Sequence, residues 1–133
     1  MDIDRKIIEM LKRNARDSNQ NIARKLNVSE GTVRNKIKSL TENGRIKRFT
    51  VIASTDVSAI CMIETDAKLE TKSIVEKIME IKDVVKIYEV SGEYSIVCNI
   101  ESTTLSDLND ALESIRFLDG VNDTKTYTIL KDY

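Results

Sequence analysis

Residues 27–40 read "NVSEGTVRNKIKSL" and have the pattern of a helix preceded by its own cap. Ser29 is a favoured N-cap residue, because its hydroxyl accepts a hydrogen bond from a free backbone N–H of the first turn. Glu30 then sits at the positive end of the helix dipole. Apolar residues recur at i, i+4 and i+7, at Val33, Ile37 and Leu40. Gly44 ends the pattern, so the stretch predicts a helix with one buried stripe.

Two further amphipathic patterns precede this helix. In "IDRKIIEMLKRNAR" (3–16), apolar residues recur every four positions, at Ile3, Ile7, Leu11 and Ala15. The segment "NQNIARKL" (19–26) follows, with Asp17 or Ser18 as its predicted N-cap. Only two residues separate it from Ser29, so a tight turn joins the last two helices. Three helices within about 44 residues form a helix-turn-helix pattern.

The polar face of the third helix is rich in hydrogen-bond donors. At about 100° per residue, the side opposite the apolar stripe carries Gly31, Asn35, Lys38 and Ser39, with Thr32 and Arg34 at its flanks. Amides, hydroxyls and cations are the groups that bind phosphates and base edges. A glycine would let the helix end approach a groove closely. The alternative is an ordinary solvated face on three generic helices.

The net charge of −1 conceals an uneven distribution. Residues 1–50 hold 13 Lys and Arg against 6 Asp and Glu, which gives +7. Residues 51–133 hold 8 against 16, which gives −8. A basic first part and an acidic second part indicate two modules with different partners.

Composition argues against several classes of protein. The sequence has no apolar run long enough to span a membrane and no apolar segment of a signal peptide near its start, so we expect a cytoplasmic protein without a membrane partner. It has no histidine, and its two cysteines, Cys61 and Cys98, lie far apart. We therefore expect no metal site, no cofactor and no enzyme activity. Both cysteines are interpreted as buried thiols.

The second part of the chain alternates strand and helix patterns. Strands are predicted in "AICMIETDAKL" (59–69), "VVKIYEV" (84–90), "EYSIVCNI" (93–100) and "GVNDTKTYTIL" (120–130). Helices are predicted in "KSIVEKIMEI" (72–81) and in "TTLSDLNDALESIRFL" (103–118), where Thr104 is a candidate cap. Ser91-Gly92 predicts the turn of a hairpin. The order βαββαβ is the ferredoxin-like pattern.

A sheet with both helices on one face leaves its other face bare. Ile60 and Met62 make that face apolar on the first strand, and Val84, Tyr88 and Val90 are candidates on the second. Such a patch usually marks a partner surface, and a two-fold homodimer would cover it. Cys61 and Cys98 fall on the core side of neighbouring strands, so a disulfide between them is sterically open, although a reducing cytoplasm disfavours it. A redox sensor is the less favoured interpretation, since sensors need exposed thiols of low pKa.

Taken together, "IDRKIIEMLKRNAR" (3–16) and "NIARKLNVSEGTVRNKIKSLTENGRIKRF" (21–49) resemble the DNA-binding half of the Lrp/AsnC transcription factors. The resemblance implies an α+β fold with three parts. These are an N-terminal winged helix-turn-helix DNA-binding domain (1–48), a linker strand (49–57) and a C-terminal ferredoxin-like domain for dimerisation and effector binding (58–133). In "RIKRFTVIAS" (45–54), cations alternate with Ile46 and Phe49, as expected for a β-wing or strand.

The predicted DNA-contacting residues combine the polar helix face with the resemblance. They are Ser29, Gly31, Thr32, Arg34, Asn35, Lys36, Lys38, Arg45, Lys47 and Arg48. The family usually has arginine at the position of Lys36, and lysine keeps the charge without the bidentate geometry. The implied partners are double-stranded DNA with a pseudo-palindromic operator and a second copy of the chain. Dimers in this family often assemble into octamers.

An effector site is implied by the resemblance alone. In the family, amino acids bind between dimers, near a Gly-x-Tyr-Asp turn and a threonine-bearing final strand. Here the turn reads Gly92-Glu93-Tyr94-Ser95, and the last strand carries Thr126 and Thr128. Ser95 replaces the aspartate, and a hydroxyl is a weaker partner for an α-ammonium group than a carboxylate. The alternative is that the turn only packs and no effector binds.

The sequence therefore predicts a sequence-specific DNA-binding transcriptional regulator that responds to an amino acid or a related metabolite. The alternative function is a non-specific DNA-packaging protein without an effector, because a charge of +7 is enough to bind phosphates. An RNA-binding module is disfavoured, since Phe49 is the only aromatic residue of the basic part.

Overall fold

The computed structural model describes residues 2–133, which divide into two compact units, one ending at Ile52 and one spanning Ala53–Tyr133. The first unit contains the helices α1 (Ile3–Arg13), α2 (Asn19–Leu26) and α3 (Glu30–Glu42). The second contains β1 (Val57–Thr65), α4 (Thr71–Met79), β2 (Val84–Glu89), β3 (Ile96–Ser102), α5 (Leu105–Arg116) and β4 (Val121–Thr128). This order confirms the predicted α+β fold.

Capping residues set the limits of the first three helices. Ser18 Oγ accepts a hydrogen bond from the backbone N–H of Asn21 at 3.0 Å, and Ser29 Oγ accepts one from Thr32 at 3.1 Å. Gly44, just past α3, has a φ of +81°, the left-handed conformation that favours glycine. These caps agree with the sequence. The first helix is shorter than predicted, because it ends at Arg13 and leaves Ala15 exposed.

The three helices enclose a small apolar core. Its buried members are Ile7, Ile22, Ala23, Val33 and Leu40. Ile37 and Ile46 are half-buried and pack against them. The predicted stripe of α3 therefore faces inward, which leaves the opposite face of that helix to solvent.

The predicted linker strand is absent from the structure. Residues 47–55 have no regular secondary structure, and the first strand begins at Val57. Within residues 2–133 no strand pairs with this segment, and an extended chain without a hydrogen-bonding partner does not form a sheet. Residues 45–54, where the sequence favoured a β-wing or strand, likewise form no strand within the described chain.

The second unit is one antiparallel sheet with strand order β2-β3-β1-β4. Both helices pack on one face, where their apolar residues meet the inward side chains of the two central strands, β1 and β3. The buried core is Ala59, Cys61, Ile63, Ile74, Ile78, Ile96, Cys98, Ile100, Leu108, Ala111 and Ile115. Thr104 caps α5 as predicted, since its hydroxyl accepts from the N–H of Asp107 at 3.1 Å.

The other face of the sheet carries no helix. Ile60 and Met62 lie on it, and they pair across the strands with Tyr127 and Lys125 of β4. Tyr88 of β2 is exposed. Val84 is a correction: it packs against the core, because a register shift between Val84 and Lys86 turns it to the helix side.

In the part of the chain that the structure describes, no helix is long and apolar enough to cross a membrane. Among residues 2–133, His, Cys, Asp and Glu do not form a group of three or more that could hold a metal ion.

Candidate functional site

The N-terminal end of α3 is built by Ser29 and Thr32. Besides its cap hydrogen bond, the Ser29 hydroxyl lies 2.8 Å from the hydroxyl of Thr32. Both hydroxyls form hydrogen bonds at the start of α3, so they stabilise its N-terminal end. In helix-turn-helix proteins generally, the N-terminal residues of the recognition helix contact base edges.

The polar face predicted from the sequence is present in the structure. Arg34, Asn35, Lys38 and Ser39 are exposed on α3, and Gly31 and Thr32 are half-buried at its start. The structure thus gathers most of the predicted reading residues on one side of a single helix. It also shows ion pairs that the sequence analysis did not find, one within this face and a group that connects Lys36 and Arg45 to the first helix and its cap.

The first ion pair joins Arg34 to Glu30 within the exposed face. Arg34 Nη1 lies 2.6 Å from Glu30 Oε2, and the two side chains are 62% and 37% exposed. The other guanidinium nitrogen, Nη2, lies 3.6 Å from the place where a Cβ on Gly31 would be. The guanidinium therefore lies back along the first turn of the helix. The signal available in the sequence was the i, i+4 spacing of an acid and an arginine.

The second ion pair joins α3 to α1. Lys36 Nζ lies 3.3 Å from Oδ1 of Asp4, a buried atom that makes no well-aligned hydrogen bond. Arg45 reaches the same region, at 3.9 Å from Asp4 Oδ2 and 3.8 Å from Asp2 Oδ2. Two of the predicted DNA-contacting cations are therefore paired with acids of the first helix and its cap. The sequence analysis missed these acids because the pairs join residues more than 30 positions apart.

The remaining predicted cations, Lys47 and Arg48, are exposed. They line a groove of about 580 Å³ between the end of α1 and residues 45–52. Its apolar lining includes Ile8, Leu11 and Phe49, and Phe49 is 53% exposed.

The predicted effector turn closes the hairpin between β2 and β3. The N–H of Val90 donates to the carbonyl of Ser95 at 2.9 Å, so the loop is longer than the two-residue turn expected at Ser91-Gly92. The hydroxyl of Ser95 lies 2.7 Å from that of Thr65, at the end of β1. Burial and the nearby carboxylates of Asp123 and Glu93 raise the pKa of Tyr94.

The two threonines of the final strand lie elsewhere on the sheet. Thr126 pairs in register with Cys61 and Thr128 with Ala59, whereas the N–H of Ser95 donates to the carbonyl of Ile63 at 3.1 Å and its hydroxyl meets Thr65. The Thr126 hydroxyl donates to Cys61 Sγ at 3.7 Å. Within one chain the structure therefore does not bring the turn and these threonines into a single cluster.

The two cysteines face each other in the core. Cys61 and Cys98 are direct partners in the β1–β3 register, and both are free and fully buried. A hydrogen bond from Cys98 lowers the pKa of Cys61 to about 7 against the effect of burial, with Thr126 and Arg116 acting in the same direction. The hydrogen bond to Cys61 and burial raise the pKa of Cys98. The pair is proximate, as predicted, but inaccessible to solvent.

Comparisons with known proteins match both units. The family described as winged helix-turn-helix DNA-binding matches residues 2–47, and the Lrp/AsnC ligand binding domain matches residues 58–133. Among curated proteins, the HTH-type transcriptional regulator LysM of Sulfurisphaera tokodaii is 37% identical over 130 residues, covering 96% of this chain and 93% of its own.

Solved structures show the same fold. Escherichia coli AsnC has a TM-score of 0.78 at 24% identity and covers 99% of this chain and 93% of its own. A Neisseria meningitidis transcriptional regulator, solved as a complex with L-Met, has a TM-score of 0.81 at 17% identity, covering 99% and 91%. With both units matched in their order along the sequence, the chain belongs to the Lrp/AsnC family of helix-turn-helix transcriptional regulators.

Proposed function

We propose that this regulator is sequence-specific and that α3 reads base edges in the major groove. The observation that carries the proposal is the exposed set Arg34, Asn35 and Lys38, on the face opposite the buried stripe and close to a capped helix N-terminus. Arginine pairs with guanine and asparagine with adenine through two hydrogen bonds each, and these are the contacts that distinguish base pairs.

The other predicted residues take supporting roles in this proposal. Ser29, Gly31 and Thr32 shape the helix end and allow its approach to the backbone, whereas Lys47 and Arg48 attract phosphates. Lys36 and Arg45 contribute mainly by holding α3 in place, because their charges face Asp4 and Asp2. Phosphate contacts position a protein on DNA but carry no sequence information.

The test is the Arg34→Ala variant on two duplexes. The first is the consensus site selected by the protein from randomised DNA, and the second is the same duplex with its bases shuffled. Loss of a guanine contact should weaken binding to the consensus about 5- to 150-fold, the range that follows from about 1–3 kcal/mol per bidentate pair. Binding to the shuffled duplex should change much less. Equal losses on both would favour the non-specific packaging function.

The proposal includes a homodimer on a pseudo-palindromic operator. The bare sheet face with Ile60 and Met62 supports it, since packing two such faces together would bury the apolar residues of both copies. A two-fold dimer would present two copies of α3 to two half-sites separated by one helical turn. Further assembly of dimers to octamers is part of the same proposal, by likeness to the family.

The effector in this proposal is an amino acid or a related metabolite. Support comes from the match of residues 58–133 to a ligand binding domain and from the L-Met complex of the Neisseria regulator. Because the turn and Thr126 lie apart within one chain, such a site would combine these elements from different copies. A thermal-shift screen of the twenty amino acids, followed by DNA binding with any hit, tests this part.

A further inference from the structure

We propose that Glu30 is a positioning residue for DNA recognition: its carboxylate holds the Arg34 guanidinium over Gly31, in the orientation from which Arg34 reads a base. This inference rests on the proposed function, because it assumes that Arg34 contacts a base edge. The inference assigns a role to Glu30, an acid on a surface whose other charged side chains are suited to bind DNA.

The geometry holds the guanidinium on one side, at Glu30, and leaves room for it on the other, over Gly31. Nη1 is held at 2.6 Å by Glu30 Oε2, and Nη2 lies 3.6 Å from the missing Cβ of Gly31. One edge of the planar group is thereby engaged by the carboxylate. Arginine has five N–H donors in a rigid fork, so the remaining donors stay available for a base. A side chain longer than a methyl group at position 31 would compete for the same space.

The helix dipole makes this position unfavourable for a lone cation. The N-terminus of a helix carries a partial positive charge, which repels a guanidinium placed over its first turn. Arg34 is nonetheless drawn back to that turn, and Glu30 is the negative group that offsets the repulsion. Without the carboxylate, we expect the guanidinium to leave the helix end and to extend into solvent, where it would have many rotamers.

The carboxylate also discriminates between binding modes. A negative charge near the DNA backbone is repelled by phosphates on every sequence, so it weakens non-specific binding. On a correct site, the oriented Arg34 offsets that repulsion through its base contact. Glu30 should therefore increase the ratio of specific to non-specific affinity, even though it reduces the total positive charge of the surface.

The experiment compares Glu30→Gln with Glu9→Gln as the matched control. Glu9 forms an i, i+4 pair with Arg5 on α1, with Arg5 Nε at 3.2 Å, so the control removes the same charge from the same kind of pair. Affinity is measured on the selected consensus duplex and on its shuffled version across a range of salt concentrations. Glu30→Gln should lower the ratio of the two affinities about tenfold, within the range of one bidentate base contact. It should not weaken binding to the shuffled duplex, and Glu9→Gln should leave the ratio unchanged.

The Arg34→Ala background separates the possible outcomes. If Glu30 acts through Arg34, adding Glu30→Gln to Arg34→Ala should not lower the affinity ratio further. Were Glu30→Gln to raise affinity equally on both duplexes, Glu30 would only repel phosphates and the inference would be overturned. If Arg34→Ala itself leaves the ratio unchanged, it is the proposed base contact that fails. A change confined to stability would lower the active fraction equally for both duplexes and would not move the ratio.

Discussion

Lys36 and Asp4 join the third helix to the first, with 3.3 Å between the ammonium nitrogen and a buried carboxylate oxygen. Lys36 is one of the predicted DNA-contacting residues, and the ion pair also gives it a contact within the helical unit. Removing its charge leaves a half-buried acid without its closest partner, and an unpaired buried charge is costly.

The Lys36→Met variant should therefore lose stability, whereas Lys38→Met should not. We expect the free energy of unfolding to fall by about 1 kcal/mol for Lys36→Met, since Lys36 remains partly exposed. Lys38 is an exposed lysine of the same helix and serves as the control. DNA affinity should fall more for Lys38→Met than for Lys36→Met. Urea unfolding and a DNA titration of both variants check this, and a larger DNA defect for Lys36→Met would contradict the assignment.

The two glycines with positive φ predict unequal costs of an added methyl group. At Gly120 (φ +93°), a Cβ would lie 2.7 Å from Leu69 Cδ1 and 2.9 Å from Ile74 Cδ1. At Gly44 (φ +81°), it would meet no atom within 4 Å. Gly44→Ala should cost about 1 kcal/mol for the backbone conformation alone. Gly120→Ala should cost about 1–3 kcal/mol more, because overpacking adds to that strain. Equal losses of thermal stability would show that the surroundings of Gly120 relax freely.

The proposed dimer interface is tested by a charge on the bare face of the sheet. Met62→Lys places an ammonium group among the apolar residues that a second copy would bury, and burying an unpaired charge is unfavourable. The variant should sediment as a monomer and bind the selected operator more weakly. Met79→Lys introduces the same change at an exposed residue of α4 and should remain like the parent. Unchanged sedimentation of Met62→Lys would place the interface elsewhere.

The effector turn is tested by restoring the carboxylate that the family has at Ser95. Ser95→Asp should strengthen the binding of an α-ammonium ligand, because a charged acceptor forms a stronger hydrogen bond than a hydroxyl. Ser91→Asp adds the same charge at an exposed position of the same loop and controls for charge alone. Neither variant should alter DNA affinity without the ligand. Calorimetry across the amino acids measures the effect, and the absence of binding in every form would refute this site assignment.

The thiol pair predicts a dependence of stability on pH. The folded pKa of Cys61 is lowered from 9.0 to about 7, so its thiolate stabilises the fold at pH values above its unfolded pKa. That contribution is lost as the pH falls from about 9 through about 7. Cys98→Ala removes the hydrogen bond that is the largest cause of the lowered pKa and should flatten this dependence.

Cys98→Ser keeps a hydroxyl donor opposite Cys61 and should preserve part of the dependence. Urea unfolding across the pH range measures it in the three proteins. An identical pH profile for the parent and Cys98→Ala would show that the hydrogen bond does not set the titration of Cys61.

The features predicted well from the sequence are those fixed by local chemistry. Ser18, Ser29 and Thr104 were identified as caps because a hydroxyl before a helical pattern has one dominant use. The buried stripes followed from periodicity in the same way. The order βαββαβ then predicted a sheet with both helices on one face.

The features that were missed depend on contacts distant in sequence or on single-residue shifts. No spacing rule relates Asp4 to Lys36, which meet only because two helices pack. The bulge in β2 moves Val84 to the core by one register step, which alternation alone does not reveal. The expected linker strand does not form within the chain, because a β-strand needs a hydrogen-bonding partner and an extended sequence pattern does not show whether one is present. The separation of Ser95 from Thr126 follows from the register between strands, which the sequence does not specify.

The strand order also determines when each unit can fold. The helical unit has its contacts within about 50 residues and can form early, since local contacts close small loops. In contrast, β1 lies between β3 and β4, both of which follow it in the chain. A growing chain must therefore reach Thr128 before Ile60 finds its partner Tyr127. Until then β1 has one unpaired edge, so an unfinished chain risks aggregation through the same strand that later forms the centre of the sheet.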